Sequence, residues 1–479
     1  MTLVISRTVQ RLWRSSVFVT WGAMATRLLA MVVALPLVLS VYTPEEASLW
    51  FLLALIFGLV SVAEFGFSTT YTRLLSYAVG GASVHQLINS DLLAKVTQSH
   101  PNVDTLRRVC SLMRLTGLVL SAMGGVLFFV IGNFAAYRFI RELPEPTIGW
   151  IATEISLLAA TAFLWGQVYV SFIQGMNRIL DLRRWELFAN FGQLLSITIV
   201  LYFRGNLLTL IAVTHAWSLF TVLRNAWLCK KLDHLRVFSA HSPVLDRDVW
   251  AAAWPPMWRT GVAAFFALGV VQFSGLFYAQ IGTAKEVTAY LFQLRLIGLV
   301  RQFSLPPFYN KIPLLIQSMA GSQFERLRQV AQSGMNISYW SFAFSFFVGG
   351  VASKYFIDLI TEKNIVFDPD LWSMFGIAFF LERQAGMHSQ LYMMTNKIVT
   401  HYLHSITGLI YIAAALLLFS NYGALAFPLG YTIALALCFL PASTYLSYKT
   451  YSLVFPKFEL KTSLIPFSAI ALYALLNMG

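Results

Sequence analysis

The sequence predicts an all-α, polytopic membrane protein. Twelve transmembrane helices, with a short thirteenth apolar stretch, are expected as two six-helix pseudo-repeated bundles around a central cavity. Three observations predict it. Of 479 residues, 58% are hydrophobic and 11% charged, with mean hydropathy of +0.67, whereas soluble domains carry about 25% charged residues. Apolar runs long enough to cross about 30 Å of hydrocarbon recur along the whole chain. They lack the period-2 alternation of a barrel, which leaves helices as the way to satisfy backbone groups in lipid. Finally, a stretch of the second run returns 240 residues later.

The first span, 16–39, follows the basic start "SRTVQRLWR". Its apolar part is too long for a cleaved leader and lacks a small-residue cleavage site, so it is expected to be retained. The second, 45–67, runs directly into "AEFGFSTTYTRLLSYAVGG" (63–81). There the small and hydroxyl side chains permit close packing, Arg73 meets headgroups or water, and Gly80-Gly81 stops the helix. Spans follow near 109–133, 148–173, 185–203, 206–228 and 251–280. The eighth, 286–309, meets Pro306-Pro307, which break or bend it. Spans near 329–359, 371–395, 399–419 and 422–447 complete the twelve. The last apolar stretch, 463–478, would be only about 24 Å long as a helix, short for a span. Residues 1–235 therefore form the expected N-terminal bundle, 236–450 the C-terminal bundle, and 451–479 a tail with an extra transmembrane or interfacial helix.

The connecting loops orient the chain. With the N-terminus inside, 23 Lys and Arg lie on the inner side, 6 on the outer, and five within spans. This is the bias of a multi-pass membrane protein with a cytoplasmic N-terminus. It also accounts for the net charge of +13 without a nucleic-acid partner, because no basic arm gathers the charge. Cys110, Cys229 and Cys438 are far apart and suggest neither a disulfide framework nor a metal site. There is no Walker A motif, and no cofactor is expected; a proton or sodium gradient is left as the energy source. No loop is large enough for an external catalytic domain, so a carrier is expected rather than an enzyme.

"TPEEASLWFLLALIFGLV" (43–60) aligns without a gap on "TAKEVTAYLFQLRLIGLV" (283–300). Thr43/Thr283, Glu46/Glu286, Gly58/Gly298, Leu59/Leu299 and Val60/Val300 are identical. Six helices separate the copies, so both halves face the same way, as in transporters built from parallel repeats.

The five intramembrane arginines are Arg27, Arg259, Arg295, Arg301 and Arg383. At about 2.5–3.5 kcal/mol each they oppose insertion by roughly 12–18 kcal/mol unless they snorkel, pair or face a polar cavity. Arg259 is close enough to the cytoplasmic surface to snorkel. Arg27 is not, and it shares a face with Ala23 and Ala30. The eighth span carries Gln293, Arg295, Arg301 and Gln302. The tenth, "FGIAFFLERQAGMHSQLYMMTNK", aligns Glu382, Ser389 and Asn396 at i, i+7 and i+14, with Arg383 and Gln390 beside them and Gly386 between. Such a stripe is either a cavity wall or an Arg–Glu pair holding helices together. His388, His401 and His404 invite a metal reading, but no carboxylate or cysteine set accompanies them, and packing histidines are commoner. Glu64 and Glu154 sit near span ends, where they are either solvated or candidates for ion coupling.

"ATRLLAMVVALPLVLSVYTPEEASLWFLL" followed by "AEFGFSTTYTRLLSYAVGG" resembles the first two spans of bacterial oligosaccharide flippases. These form the polysaccharide-transporter branch of the multidrug/oligosaccharidyl-lipid/polysaccharide exporter superfamily and include O-antigen flippases. Their pattern pairs an Arg in span one with (D/E)-(L/F)-G-(L/F)-S and a following Arg, matched by Arg27, Glu64-Phe65-Gly66-Phe67-Ser68 and Arg73. The resemblance implies export of a polyprenyl-pyrophosphate-linked oligosaccharide across the inner membrane by alternating access. Membrane lipids would be partners, together with a polysaccharide polymerase and chain-length proteins. Arginine suits bidentate phosphate contacts, so Arg27, Arg301 and Arg383, with Arg295 in reserve, are expected on the pyrophosphate near Glu382. Gln293, Ser389, Gln390 and aromatic side chains would meet the sugars. Fourteen spans would be expected of the lipid II flippases, which argues against that branch. The competing readings are an ion-coupled multidrug or cation antiporter of the same superfamily, which should present unpaired acids, and a membrane polysaccharide polymerase or scaffold.

Overall fold

The computed structural model describes residues 22, 26, 33–88, 100–238, 242–320, 323–360, 367–395 and 399–477, with backbone alone at 313, 316, 317, 320 and 354–360. Arg27 and Asn396 lie outside the described residues. Every element assigned among the described residues is helical. The first compact unit, Met1–Phe265, contains α1 (Pro44–Gly58), α2 (Phe67–Val79), α3 (Val103–Glu142), α4 (Pro146–Gly175), α5 (Ile179–Tyr202), α6 (Leu207–Leu232) and α7 (Arg247–Ala264). The second, Phe266–Gly479, contains α8 (Val270–Ile281), α9 (Ala284–Phe303), α10 (Phe324–Ile360), α11 (Pro369–Met393), α12 (Thr400–Tyr422), α13 (Ala426–Ala434), α14 (Leu440–Tyr451) and α15 (Leu464–Asn477). The division at 265/266 falls inside the expected seventh span, where Phe265–Gly269 is π-helical, and not at the expected 235/236.

Among the described residues, segments 44–79, 103–142, 146–175, 207–232, 247–281 and 400–451 are long and apolar enough to cross a membrane. The last holds two successive spans, α12 and α13–α14. Helices α5, α9, α10 and α11 have spanning length but are less apolar. The tail helix α15 packs on α10 and α11: Phe467 lies 5.5 Å from Phe380 and Tyr473 5.2 Å from Phe346, ring centre to ring centre.

The second span does not run unbroken through residue 67. It breaks at Glu64-Phe65-Gly66, where Phe65 (φ 49°) and Gly66 (φ 73°) both enter the left-handed region. Ser68 Oγ donates to Glu64 Oε2 at 2.8 Å across the break. Helix α2 then ends at Val79, with Gly80 as its cap and Gly81 at φ 97°, where the glycine pair is expected to stop it. Close packing on α7 holds the break. A Cβ on Gly66 would stand 2.7 Å from the Thr260 Cβ and 2.8 Å from the Met257 carbonyl oxygen, and one on Gly261 would stand 2.4 Å from the Phe65 ring. Gly66→Ala therefore combines left-handed strain with a backbone clash. A destabilisation of about 2–4 kcal/mol is expected, read as a lowered unfolding temperature of the purified protein in detergent. Gly80→Ala, at φ −74°, is the control and should change little.

The repeat has a local explanation. Thr43 Oγ1 accepts from the Glu46 backbone N–H at 3.3 Å while Glu46 Oε2 accepts from the Thr43 N–H at 2.9 Å. Thr283 and Glu286 repeat both bonds at 3.4 and 2.8 Å. The conserved spacing between the halves is thus a capping box that starts α1 and α9 alike. Both halves also break at the same offset: the first at Glu64–Gly66, the second at Ser304-Leu305 before Pro306.

Candidate functional site

The polar residues that converge in the second unit come from α9 and α11, which pack against each other. Helix α9 stops at Phe303 because Pro306 cannot continue its hydrogen-bond ladder, leaving last-turn carbonyls without helical partners. The Arg301 carbonyl accepts from Ser304 Oγ at 2.9 Å and from Arg383 Nη2 on α11. Arg383 thus places a cation at a helix C-terminus, where the helix dipole favours it. The Arg301 side chain turns to Glu382, with Nη2 2.6 Å from Oε1.

Burial makes these charges consequential. Arg383 is 5% exposed, and the side chains of Arg301 and Glu382 are 29% and 13% exposed. Glu382 Oε2 and Arg383 Nε have no hydrogen-bond partner among the described residues. Tyr309 and Tyr431 lie within electrostatic reach of Arg301 and Glu382. Two guanidinium groups therefore stand beside one carboxylate, Arg301 paired with it and Arg383 bound to the Arg301 carbonyl.

Beside these groups both helices carry a glycine that faces open space. A Cβ on Gly298 or on Gly386 would meet nothing within 4 Å. Gly298 is centred between Arg295 and Arg301, three residues from each; Gly386 has Glu382 and Arg383 one turn before it and Ser389 and Gln390 one turn after it. The open side of each helix thus carries polar residues. Tyr431 also borders an aromatic hollow with Ser274, Tyr290, Phe375, Tyr411 and Phe427, in which Ser274 and Tyr290 share a 2.7 Å hydrogen bond.

The other expected site residues fall into place unevenly. Arg295 is half-buried on the Gly298 side of α9, Gln390 is half-buried and Ser389 buried. Gln293 does not join them: it is 0% exposed, and neither amide atom has a hydrogen-bond partner among the described residues. Two residues along a helix turn about 200°, so Gln293 and Arg295 point to opposite sides. Glu64 bonds Ser68 at the break of the second span, and Glu154 is half-buried in α4. Arg259 is exposed and stacks on Trp258 at 5.8 Å. His401 stacks on Tyr402 and His404 on Phe439.

Sequence reasoning missed two features. Arg224, expected at the inner surface, is 5% exposed in α6 and donates to Asn225 Oδ1 at 2.7 Å. Glu459, on the short helix Lys457–Leu460, looked like an ordinary loop charge but is 3% exposed. It accepts from Tyr448 OH at 2.8 Å and Gln384 Nε2 at 3.0 Å.

No family model and no curated protein matches the sequence. Solved structures do match the fold. A lipid II flippase, MurJ, in an inward closed conformation is similar with a TM-score of 0.64 at 12% identity, over 97% of this chain and 93% of that one. An inward-facing multidrug resistance MATE family transporter of the MOP superfamily gives 0.63 at 14% identity, over 90% and 98%. A mutant of the MATE transporter VcmN from Vibrio cholerae gives 0.55 at 12% identity, over 96% and 99%. The chain thus has the polytopic helical fold of these transporters over 90–97% of its length, and that fold is shared by a lipid II flippase and by multidrug transporters alike.

Proposed function

We propose that the protein is a flippase. Its cargo would be a polyprenyl-pyrophosphate-linked oligosaccharide, such as an O-antigen or other surface-polysaccharide repeat unit, moved from the inner to the outer leaflet of the bacterial cytoplasmic membrane by alternating access. The observation that carries this reading is the charge balance beside the open glycines: Arg301 and Arg383 against Glu382 alone. A buried excess of positive charge is costly until an anion joins it. A pyrophosphate offers several oxygens to guanidinium donors, and Arg295 on α9 is the further cation for it. Tyr309, Tyr431 and Gln390 are suited to the sugars, and the polyprenyl tail stays in the bilayer. An organic-cation antiporter would need an unpaired acid at this place, and Glu382 is held by Arg301 at 2.6 Å.

Deleting the gene and extracting polyprenyl-linked saccharides tests the proposal. The expected result is lost surface glycan, with lipid-linked units accumulating on the cytoplasmic face and identifying the cargo by mass. Retained single-repeat surface glycan would indicate a polymerase. Unchanged glycan with altered drug resistance would indicate the antiporter.

A further inference from the structure

Helix α11 has a second polar face, turned away from the Glu382 side. His388 is 0% exposed, as is Ser447 on α14. His388 Nδ1 lies 2.7 Å from Ser447 Oγ, and Nε2 lies 3.2 Å from Glu459 Oε1, at ion-pair distance but off the line of a hydrogen bond. Glu459 also accepts from Tyr448 OH, Gln384 Nε2 and Ser463 Oγ. Burial alone would raise the Glu459 carboxyl, but the adjacent His388 ring, with the Ser463 and Tyr448 donors, brings it down to about 2. Glu459 is thus held by its donors as a carboxylate that faces the His388 ring.

The hydroxyl of Ser447 makes the site fit for both charge states. Its single hydrogen can point to the Thr444 carbonyl oxygen at 3.0 Å; Oγ then accepts an Nδ1–H, and the imidazolium faces the Glu459 charge. Turned instead to Nδ1, the same hydrogen satisfies a neutral ring whose Nε2–H faces Glu459. One proton is gained or lost at the ring by rotation of one O–H bond, and Nδ1 keeps Ser447 Oγ as its partner in both states. A sodium ion finds no such welcome, because the carboxylate oxygens are already taken by donors.

We propose that His388 is the proton-binding site that couples transport to a proton gradient, with Glu459 as its fixed counter-charge and Ser447 as the rotor that accommodates both states. Loading it changes the charge holding α11 against α14 and Lys457–Leu460, and α11 carries Glu382 and Arg383 to the cargo site. Histidine is the side chain suited to such a change at physiological pH, and a proton shifts a conformational equilibrium by as much as its affinity differs between the states. Among the described residues, the other titratable or charged groups around α11 are Arg301 from α9, Tyr309, Tyr339 from α10, Tyr431 from α13, Tyr448 and Tyr451 from α14, and Glu382 and Arg383 on α11 itself. Of these only Glu382 is a carboxylate, and it pairs with Arg301 on the other polar face of the helix.

This inference rests on the transport reading but is tested without cargo. The full-length protein, labelled with 15N-histidine and with one spin label on each compact unit, is placed in lipid nanodiscs and titrated from pH 5 to 9. The His388 resonances, assigned by their loss in His388→Gln, should report a change of charge, and the spin–spin distance distribution should shift over the same interval. In His388→Gln that shift should vanish, and in Glu459→Gln it should move to lower pH by about one unit or more, as expected for loss of a close opposite charge. His388 in one charge state throughout would overturn the proposal, as would a titration that leaves the distances unchanged or a shift that persists in His388→Gln. A failed glycan assay with an intact pH-driven shift would instead remove the cargo assignment and leave the proton site standing.

Discussion

Arg301→Ala should reduce transport to background and destabilise the protein by about 3–5 kcal/mol, the scale of breaking a buried ion pair from one side. The substitution leaves Glu382, 13% exposed, ionised without its counter-charge, and its second oxygen already has no hydrogen-bond partner among the described residues. Glu382→Ala should cost less, because Arg301 at 29% exposure retains more solvent. The decisive variant removes both: Arg301→Met with Glu382→Leu exchanges the pair for apolar groups of similar volume. Such exchanges are often neutral or stabilising, so the unfolding temperature in detergent should return to that of the parent. Transport then separates the two roles the sequence left open. If the pair only ties α9 to α11, surface glycan recovers with stability. If it belongs to a cavity wall that holds an anionic cargo, the double variant is stable and inactive. We expect the second outcome, because the double variant removes one of the two buried guanidinium groups proposed to hold the pyrophosphate.

How much of this was legible depends on whether the cause is local. The Thr43 and Thr283 capping boxes need only a hydroxyl and a Glu three residues on, so they were visible as a repeat before any fold was known. The stripe of Glu382 and Ser389 follows from the helical period, and so does the placing of Gln293 opposite Arg295, which the same arithmetic should have excluded from the cargo side. Arg383 is different. Its guanidinium ends on the carbonyl of Arg301, 82 residues away, and partner choice at that separation is decided by tertiary packing. The break at Phe65-Gly66 was hidden for the same reason: the only local signal is one glycine, and Met257, Thr260 and Gly261 of α7 hold the left-handed turn. Glu459 carried no signal at all, since "FPKFELKTS" reads as a polar loop until Gln384, His388 and Tyr448 close on it.

Gly298 and Gly386 give the sharpest separation of fold from function. Neither has a positive φ, and an added Cβ would meet nothing within 4 Å at either, so alanine is sterically free at both. A helix-interior Gly→Ala exchange is worth up to about 1 kcal/mol of stability through backbone entropy. Gly298→Ala and Gly386→Ala should therefore unfold at the same temperature as the parent or higher. Larger side chains probe what the open space is for. Gly386→Phe and Gly298→Leu project into it beside Glu382, Arg383 and Arg301, from a Cβ that meets nothing within 4 Å. If the space is a cargo passage, transport should fall at least about tenfold, one step of 1.4 kcal/mol in admitting cargo, while the unfolding temperature holds. If the open sides of α9 and α11 merely face lipid, phenylalanine at Gly386 is as acceptable as any apolar surface residue, and both transport and stability persist. Measuring surface glycan and thermal unfolding on the same four variants distinguishes these cases. A stable, inactive Gly386→Phe next to an active Gly386→Ala would show that the volume beside the arginines, and not the glycine backbone, is what the transport cycle requires.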